Sequence, residues 1–196
     1  MRPSSWLVLL AASILPGLAL AQSPPTVTSP APPPTVTAPA VLPGAPMAPL
    51  TASDTQFVVT QIENNTAESQ AAQLALQHRQ NQSVRDFAGK IITDHTYAKD
   101  TLAPVAQMHQ LQSQTVLTEQ HRQMLEQLAQ LYGPGFDRAF VSSIERAHAT
   151  MIGELDYQLV HGSDQHISAW VQNTRPILLQ HSEIAQQLLA SLQHSG

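Results

Sequence analysis

From Ser53 onward, apolar side chains recur every three or four residues through four long segments of the chain. This spacing gathers them on one face of an α-helix, and no stretch shows the polar-apolar alternation of a half-buried strand. The segments run from Asp54 to Arg79, from about Gln82 past Val105, from Phe136 to about His161, and from Ser163 or Asp164 to about Ser191. The pattern predicts an all-α domain over residues 53–193, with the second helix kinked or locally broken at Pro104 and the fourth kinked at Pro176.

The lengths of the connections predict how these helices are joined. Two connections are short, at about residues 80–81 and 162–164, and short loops join antiparallel neighbours. The middle connection runs from about residue 110 to 135 and contains a short helix of its own near 118–131. Two helical hairpins joined by a long crossover form a known four-helix bundle topology. We therefore expect a four-helix bundle with a long crossover between its second and third helices.

The first 21 residues have the pattern of a secretory signal peptide. Arg2 gives a positive start, an apolar run extends from Trp6 to Leu20, and Ala19-Leu20-Ala21 forms a small-x-small cleavage site. The run of about 15 residues is shorter than the roughly 20 that a membrane-spanning helix needs. We expect cleavage before Gln22 and export to the periplasm, with association with the outer membrane as an open alternative. No later stretch is apolar enough to span a bilayer.

Residues 22–52 are predicted to form an extended, disordered tether. The segment contains ten of the fifteen prolines and no charged residue. Alternating Pro, Ala, Thr and Val form neither a helix nor a core, and they favour polyproline-like conformations. The tether either holds the domain near a membrane, a cell wall or an envelope protein partner, or is an unconstrained extension.

Composition excludes several classes of function. The chain has no cysteine, which excludes disulfides, thiolate metal sites and cysteine nucleophiles. Its net charge of −5 provides no basic field for a nucleic acid. No nucleophile elbow, phosphate loop or dinucleotide fingerprint is present. An enzymatic role is therefore disfavoured, although metal-activated water would remain possible at an open metal site. The pattern does not predict an oligomeric state.

Four ionisable residues interrupt the apolar stripes, one in each predicted helix. They are Glu68, His95, His148 and His181. The stripe of the first helix, for example, consists of Phe57, Gln61, Asn64, Glu68, Ala71 and Ala75. Polar groups that are buried in this way must be hydrogen-bonded, paired with a charge or bound to a metal.

The predicted topology brings the same four residues to one level of the bundle. Heights follow from the helical rise of about 1.5 Å per residue, and the crossover connection places all four within about one turn of one another. A simple up-and-down connection would scatter them over about 9 Å. Three imidazoles and one carboxylate suit one divalent transition metal ion, such as zinc, copper, iron or nickel. Asp94 is a candidate to orient one of the histidines.

Two other interpretations remain open at this point. In the first, the stripe histidines are hydrogen-bonded core residues of a metal-free envelope stress or interaction protein, whose surface responds to pH. In the second, Glu145 and His148 form a Glu-x-x-His pair of the kind found in di-iron bundles. Ile92 and Leu178 occupy the corresponding places on two other helices and cannot bind metal, so a dinuclear centre is disfavoured.

Several short motifs resemble the bacterial exported family known as domain of unknown function 4142. They are Phe57, Ala67-Glu68 and Leu74-Ala75, then Val84-Arg85-Asp86-Phe87-Ala88 with Asp94-His95, then Gly135-Phe136-Asp137 with His148, and finally Pro176 with His181. The resemblance covers about Asp54–Leu189 and leaves out the tether. It implies a ferritin-like four-helix bundle in the periplasm or outer-membrane compartment, and it implies no established reaction. The chain departs from the pattern at Gln70, where a Glu is expected, and at Pro104 within a normally regular helix.

Overall fold

A computed structural model describes residues 49–78, 81–111 and 116–194. The helices are α1 (Ala52–His78), α2 (Gln82–Met108), α3 (Glu119–Ala129), α4 (Gly133–His161) and α5 (Gln165–His194). These described ranges contain no strand. The predicted signal peptide and all but the last four residues of the predicted tether lie outside them. None of the helices in this part of the chain has the length and hydropathy needed to cross a membrane.

The five helices form a four-helix bundle with a long crossover, which confirms the predicted fold class. Helices α1 and α2 pack as one hairpin, α4 and α5 pack as the other, and the short helix α3 lies against α1 and α4. The crossover runs the length of the bundle. At one end the ring of His78 stacks on that of Phe136 near the start of α4, with 4.1 Å between the centroids. At the other end, His109 after α2 lies 3.3 Å from Asp164 before α5.

The core consists of two apolar layers with a polar layer between them. One layer lies toward the α1–α2 turn and includes Ile91, Phe136 and Ile144. The other lies toward the opposite end and includes Leu102 and Leu155. The predicted stripes of α2, α4 and α5 are buried throughout, because each of these helices presents one regular apolar face to the bundle.

Helix α1 departs from the predicted stripe at one position. Asn65 is fully buried, whereas the predicted Asn64 is only partly buried. Helix α1 packs against α2 on one side and against α4 on another, so its buried face is wider than a single stripe. Asn65 is accommodated there because its Nδ2 donates a hydrogen bond of 2.6 Å to the carbonyl of Gln61.

Helix α4 starts earlier than predicted, and the local break that was one of two alternatives at Pro104 is absent from α2. Helix α4 begins at Gly133 and not at Phe136, because Pro134 lies in the first turn, where its missing N–H has no helical partner to lose. Helix α2 is not broken at Pro104 but continues to Met108. The flanking residues Leu102 and Val105 are buried in the core, and their packing favours the helical path across the proline.

Asp54 links the start of α1 to the end of α4 and to the loop that follows it, through hydrogen bonds. The carboxylate is buried and accepts hydrogen bonds from Gln158 Nε2 at 2.5 Å and from Ser163 Oγ at 2.8 Å. Burial raises the pKa of Asp54, but the hydrogen bonds from Gln158, Ser163 and Thr51 outweigh burial and leave that pKa below its usual value of 3.8. The charged form is therefore the one that stabilises the fold.

Replacing Asp54 with Asn is expected to lower the free energy of unfolding by about 1–2 kcal/mol near neutral pH. Because the folded pKa lies below the unfolded one, the stabilisation is complete above pH 3.8 and is lost as the pH falls through the folded value. Urea unfolding at about pH 7 and about pH 3 should therefore show that the difference in the free energy of unfolding between wild type and Asp54→Asn is smaller at the lower pH. The exposed Asp100→Asn serves as the charge-matched control, and a gap that stays constant in acid would contradict this account.

Candidate metal centre

Each of the four long helices contributes one ionisable side chain to the polar layer of the core. Glu68 comes from α1, His95 from α2, His148 from α4 and His181 from α5. Their exposed fractions are 3%, 1%, 0% and 0%. The structure thus brings all four predicted residues together, and we call them the central cluster. One potential ligand nitrogen from each of the three histidines lies within 4.8 Å of the others.

The hydrogen bonds of two imidazoles determine which of their nitrogens carry protons. His148 Nδ1 lies 2.8 Å from the carbonyl oxygen of Ile144, which can only accept, so Nδ1 donates and Nε2 keeps its lone pair. His181 Nε2 lies 2.7 Å from the Asp94 carboxylate and donates to it, so Nδ1 keeps its lone pair. These two lone-pair nitrogens face each other at 3.1 Å. Neutral rings in these tautomers have no proton to place between them.

His95 completes the set from the α2 side. Its Nε2 lies 3.4 Å from Nε2 of His148, and its Nδ1 is buried with no hydrogen-bond partner among the described residues. The rings of His95 and His181 are nearly parallel, with an angle of 25° between their planes and 5.6 Å between their centroids. Three ring nitrogens therefore converge on one small volume between α2, α4 and α5.

Glu68 lies beside the three imidazoles, at the edge of the cluster. Its Oε2 is 3.4 Å from His95 Nε2 and 3.3 Å from His148 Nδ1. Neither contact has the geometry of a hydrogen bond, and neither carboxyl oxygen has a hydrogen-bond partner in the described part of the chain. A buried carboxyl group without a partner destabilises a fold, so this one calls for a functional explanation.

Burial favours the neutral form of every member of the central cluster. It raises the pKa of Glu68 well above its usual range. Burial, together with the charges of the neighbouring rings, lowers the pKa of His95 well below 6.5 and that of His148 to about 4. Burial also lowers the pKa of His181, although the bond to Asp94 opposes the shift. Near neutral pH the imidazoles are therefore unprotonated, which is the form that binds a metal.

The outer side of His181 is held by a chain of polar contacts. Asp94 Oδ2 accepts from His181 Nε2 and also lies 2.9 Å from Nζ of Lys90, one turn earlier on α2. Asp94 therefore contacts a histidine of a different helix and not its sequence neighbour His95. A carboxylate in this position fixes the tautomer and the orientation of a metal-ligating imidazole.

Comparison with known proteins agrees with this architecture. The sequence model of a family described as Domain of unknown function (DUF4142) matches residues 39–188. The chain belongs to this family. The match begins inside the predicted tether, earlier than the resemblance in the helical motifs. No protein with a curated description matches this DUF4142 chain.

A solved structure shares the fold of the DUF4142 chain. It is the crystal structure of a DUF305 fragment from Deinococcus radiodurans, with a TM-score of 0.66 and 14% sequence identity. The alignment covers 74% of the present chain and 99% of the fragment. At this identity the likeness shows the helical fold alone, and function must be argued from the site.

The remaining histidines of the DUF4142 chain that have described contacts lie away from the central cluster. His161 and His194 each donate to the carbonyl oxygen one turn earlier, and His121 contacts Glu63 at 2.7 Å. Across the described ranges, His95, His148 and His181 form the one group of three or more potential ligands close enough to share an ion. Glu145 is outside that group.

A cavity that sequence reasoning missed borders the central cluster. It lies between α1, α3 and α4 and has a volume of about 610 Å³. We call it the side cavity; its lining includes Glu63, Glu68, His121, Met124, Ile144, Arg146, Ala147, Met151 and Glu154. Its existence depends on the path of α3 across α1 and α4, and no local pattern in the sequence encodes that path.

Proposed function

We propose that this protein is exported to the bacterial periplasm and binds one divalent transition metal ion in its bundle. In this proposal His95, His148 and His181 hold the ion, while Glu68 completes the donor set and compensates the charge. In this proposal the protein buffers or senses the metal, or is structurally metallated. Imidazole with one carboxylate favours zinc, copper, iron or nickel over magnesium and calcium, which prefer oxygen ligands.

The observation that carries the proposal is the pair of opposed lone pairs on His148 Nε2 and His181 Nδ1. Two acceptors at 3.1 Å repel each other unless a cation lies between them. In a tetrahedral zinc site with Zn–N distances of about 2.0–2.1 Å, neighbouring ligand nitrogens are about 3.3–3.4 Å apart. The nitrogen separations of 3.1 Å between His148 and His181 and 3.4 Å between His95 and His148 are close to that spacing.

Elemental analysis of untagged protein recovered from its native compartment tests the proposal. We expect about one transition metal ion per chain, as for a mononuclear site. The double variant His148→Ala/His181→Ala, purified in parallel, should carry none above background. Wild-type protein that neither retains metal nor takes it up when Zn²⁺, Cu²⁺, Fe²⁺ or Ni²⁺ is added would refute the metal centre. That result would favour the metal-free interaction protein.

Replacing Asp94 with Asn is expected to weaken Zn²⁺ binding by about 10- to 100-fold. The amide removes the negative charge that His181 Nε2 contacts, and because an amide can either accept or donate, it no longer fixes the tautomer of the ring. Competition with a chelator of known affinity measures the change. Asp100→Asn on the exposed face of the same helix makes the same charge change and should bind like wild type. Equal affinities for both variants would contradict the assigned role.

Export is supported by the signal-peptide pattern of the first 21 residues. The intact mass of protein from the native compartment should correspond to a chain that begins at Gln22. A chain that retains Met1 and Arg2, or one found only in the cytoplasmic fraction, would refute this part of the proposal.

A further inference from the structure

We propose that the side cavity is the route by which a hydrated divalent cation reaches the central cluster, with Glu68 at the inner end. This inference rests on the proposed metal centre and adds how the ion gets in and out. It assigns a function to the side cavity, which the metal centre alone leaves unexplained.

Packing covers the cluster toward both ends of the bundle and at His181 on α5. The apolar layers above and below are continuous buried side chains, with Ile144 and Met151 one turn on either side of His148. An ion with its water shell does not pass through such a layer, because its desolvation is too costly. On the α5 side, the ring of His181 is fully buried, and its outer nitrogen is bonded to Asp94.

Glu68 connects the side cavity with the imidazoles. Its carboxyl group lines the cavity, is 3% exposed, and has no hydrogen-bond partner among the described residues. The same group lies 3.4 Å from Nε2 of His95. A cation in the cavity thus meets a buried, unpartnered carboxyl group before it meets the ring nitrogens, and that group can replace part of its water shell.

The size and the charge of the side cavity suit a hydrated cation. Six waters occupy about 180 Å³ at about 30 Å³ each, well within the cavity volume of about 610 Å³. Apart from Glu68, the carboxyl groups of Glu63 and Glu154 face one Arg and one His in the lining. Glu63 binds His121 at 2.7 Å, and Arg146 lies 2.6 Å from Ser142 Oγ. Acidic groups in a concave site concentrate cations.

Stopped-flow uptake of Co²⁺ tests the route, since tetrahedral Co²⁺ absorbs visible light far more strongly than the aqueous ion. Ala147 lines the side cavity, whereas Ala149 on the same helix is exposed and lies outside the lining. Ala147→Phe should slow uptake on the order of tenfold or more and slow release into a chelator by the same factor. Ala149→Phe, the matched control, should bind and release Co²⁺ like wild type.

A charge variant provides a second test that does not depend on filling the cavity. Glu154 accepts a hydrogen bond of 2.7 Å from Gln61, and Gln at position 154 can still accept one. Glu154→Gln should slow Co²⁺ uptake about two- to fivefold at low ionic strength, and the difference should vanish at about 0.5 M salt. Glu183→Gln, an equal charge change on the exposed face of α5, should have no effect.

The outcomes separate the route from the metal centre. Wild-type protein that takes up no Co²⁺ overturns both. Wild-type uptake with equal rates in Ala147→Phe and Ala149→Phe, or in Glu154→Gln and Glu183→Gln at low salt, overturns the route and leaves the centre standing. Slower uptake in each cavity variant than in its control, with helical content unchanged by circular dichroism, supports the route.

Discussion

Replacing His148 with Ala is expected to weaken Zn²⁺ binding by about 100- to 1,000-fold, which corresponds to about 3–4 kcal/mol. Structural zinc sites with four ligands bind with roughly 10–16 kcal/mol, so one ligand accounts for about a quarter of that. His148 is fully buried, and its Nε2 lies 3.4 Å from Nε2 of His95 and 3.1 Å from Nδ1 of His181. Its loss removes the imidazole that is within 3.4 Å of both of the others.

Thermal unfolding gives a second measurement of the same change. Zn²⁺ at about 100 times the wild-type Kd stabilises the folded state by about 2.7 kcal/mol, which raises the Tm by roughly 5–10 °C for a domain of this size. For His148→Ala the same Zn²⁺ concentration should shift the Tm by less than about 2 °C.

His161→Ala is the matched control for His148→Ala. Both histidines lie on α4, and both place Nδ1 within hydrogen-bond distance of the carbonyl oxygen one turn earlier, at 2.8 Å for His148 and 2.9 Å for His161. They differ in that His161 is exposed and lies outside the central cluster. His161→Ala should therefore keep the wild-type affinity. Two variants that lost affinity equally, or not at all, would contradict the assignment of His148.

The clustering of the four polar residues was predictable because helical geometry determines, from the residue number, both the face on which a residue lies and its height along the bundle. His95, His148 and His181 each occupy a place in a regular apolar stripe, and a residue in such a place is directed into the bundle. The constant helical rise then gives each residue a height, and only the crossover connection makes the four heights agree. The stripe of α1 was less certain because Gln61 and Asn65 are themselves buried polar residues.

Other features of the site could not be predicted because they depend on side-chain rotation and on packing between distant segments. The opposed lone pairs of His148 and His181 arise from the carbonyl of Ile144 and from Asp94, and neither ring orientation follows from spacing along a helix. Asp94 contacts a histidine 87 residues away and not its neighbour. The side cavity depends on α3, whose position over α1 and α4 is fixed by contacts such as that of Glu63 with His121.

The layered core implies that the polar layer makes the domain less stable than an entirely apolar core would. Apolar residues in the same positions would join the two apolar layers into one core. Replacing a buried polar group that lacks partners by an apolar one of similar volume is often neutral or stabilising. Glu68 is the member of the central cluster with the fewest compensating contacts, because neither of its oxygens is hydrogen-bonded within the described ranges. It is therefore the residue at which stability and metal binding should be most clearly opposed.

Replacing Glu68 with Leu is expected to raise the free energy of unfolding of metal-free protein by about 1–3 kcal/mol. The same change should weaken Zn²⁺ binding by about 100-fold, since it removes the carboxylate that completes the proposed donor set. Urea unfolding in the presence of a chelator measures the first effect, and chelator competition measures the second. Glu68→Gln keeps a buried polar group without its charge, so it should lose affinity without gaining stability.

Added metal should then reduce or reverse the difference in stability between Glu68→Leu and wild type. At a Zn²⁺ concentration of about 100 times the wild-type Kd, wild type gains about 2.7 kcal/mol, whereas a variant with 100-fold weaker binding gains about 0.4 kcal/mol. The difference of about 2.3 kcal/mol is similar to the advantage of Glu68→Leu in metal-free protein. A Glu68→Leu variant that is less stable than wild type with a chelator present would mean that this carboxyl group has a structural role. A variant that is more stable and yet binds Zn²⁺ as tightly as wild type would remove Glu68 from the metal centre.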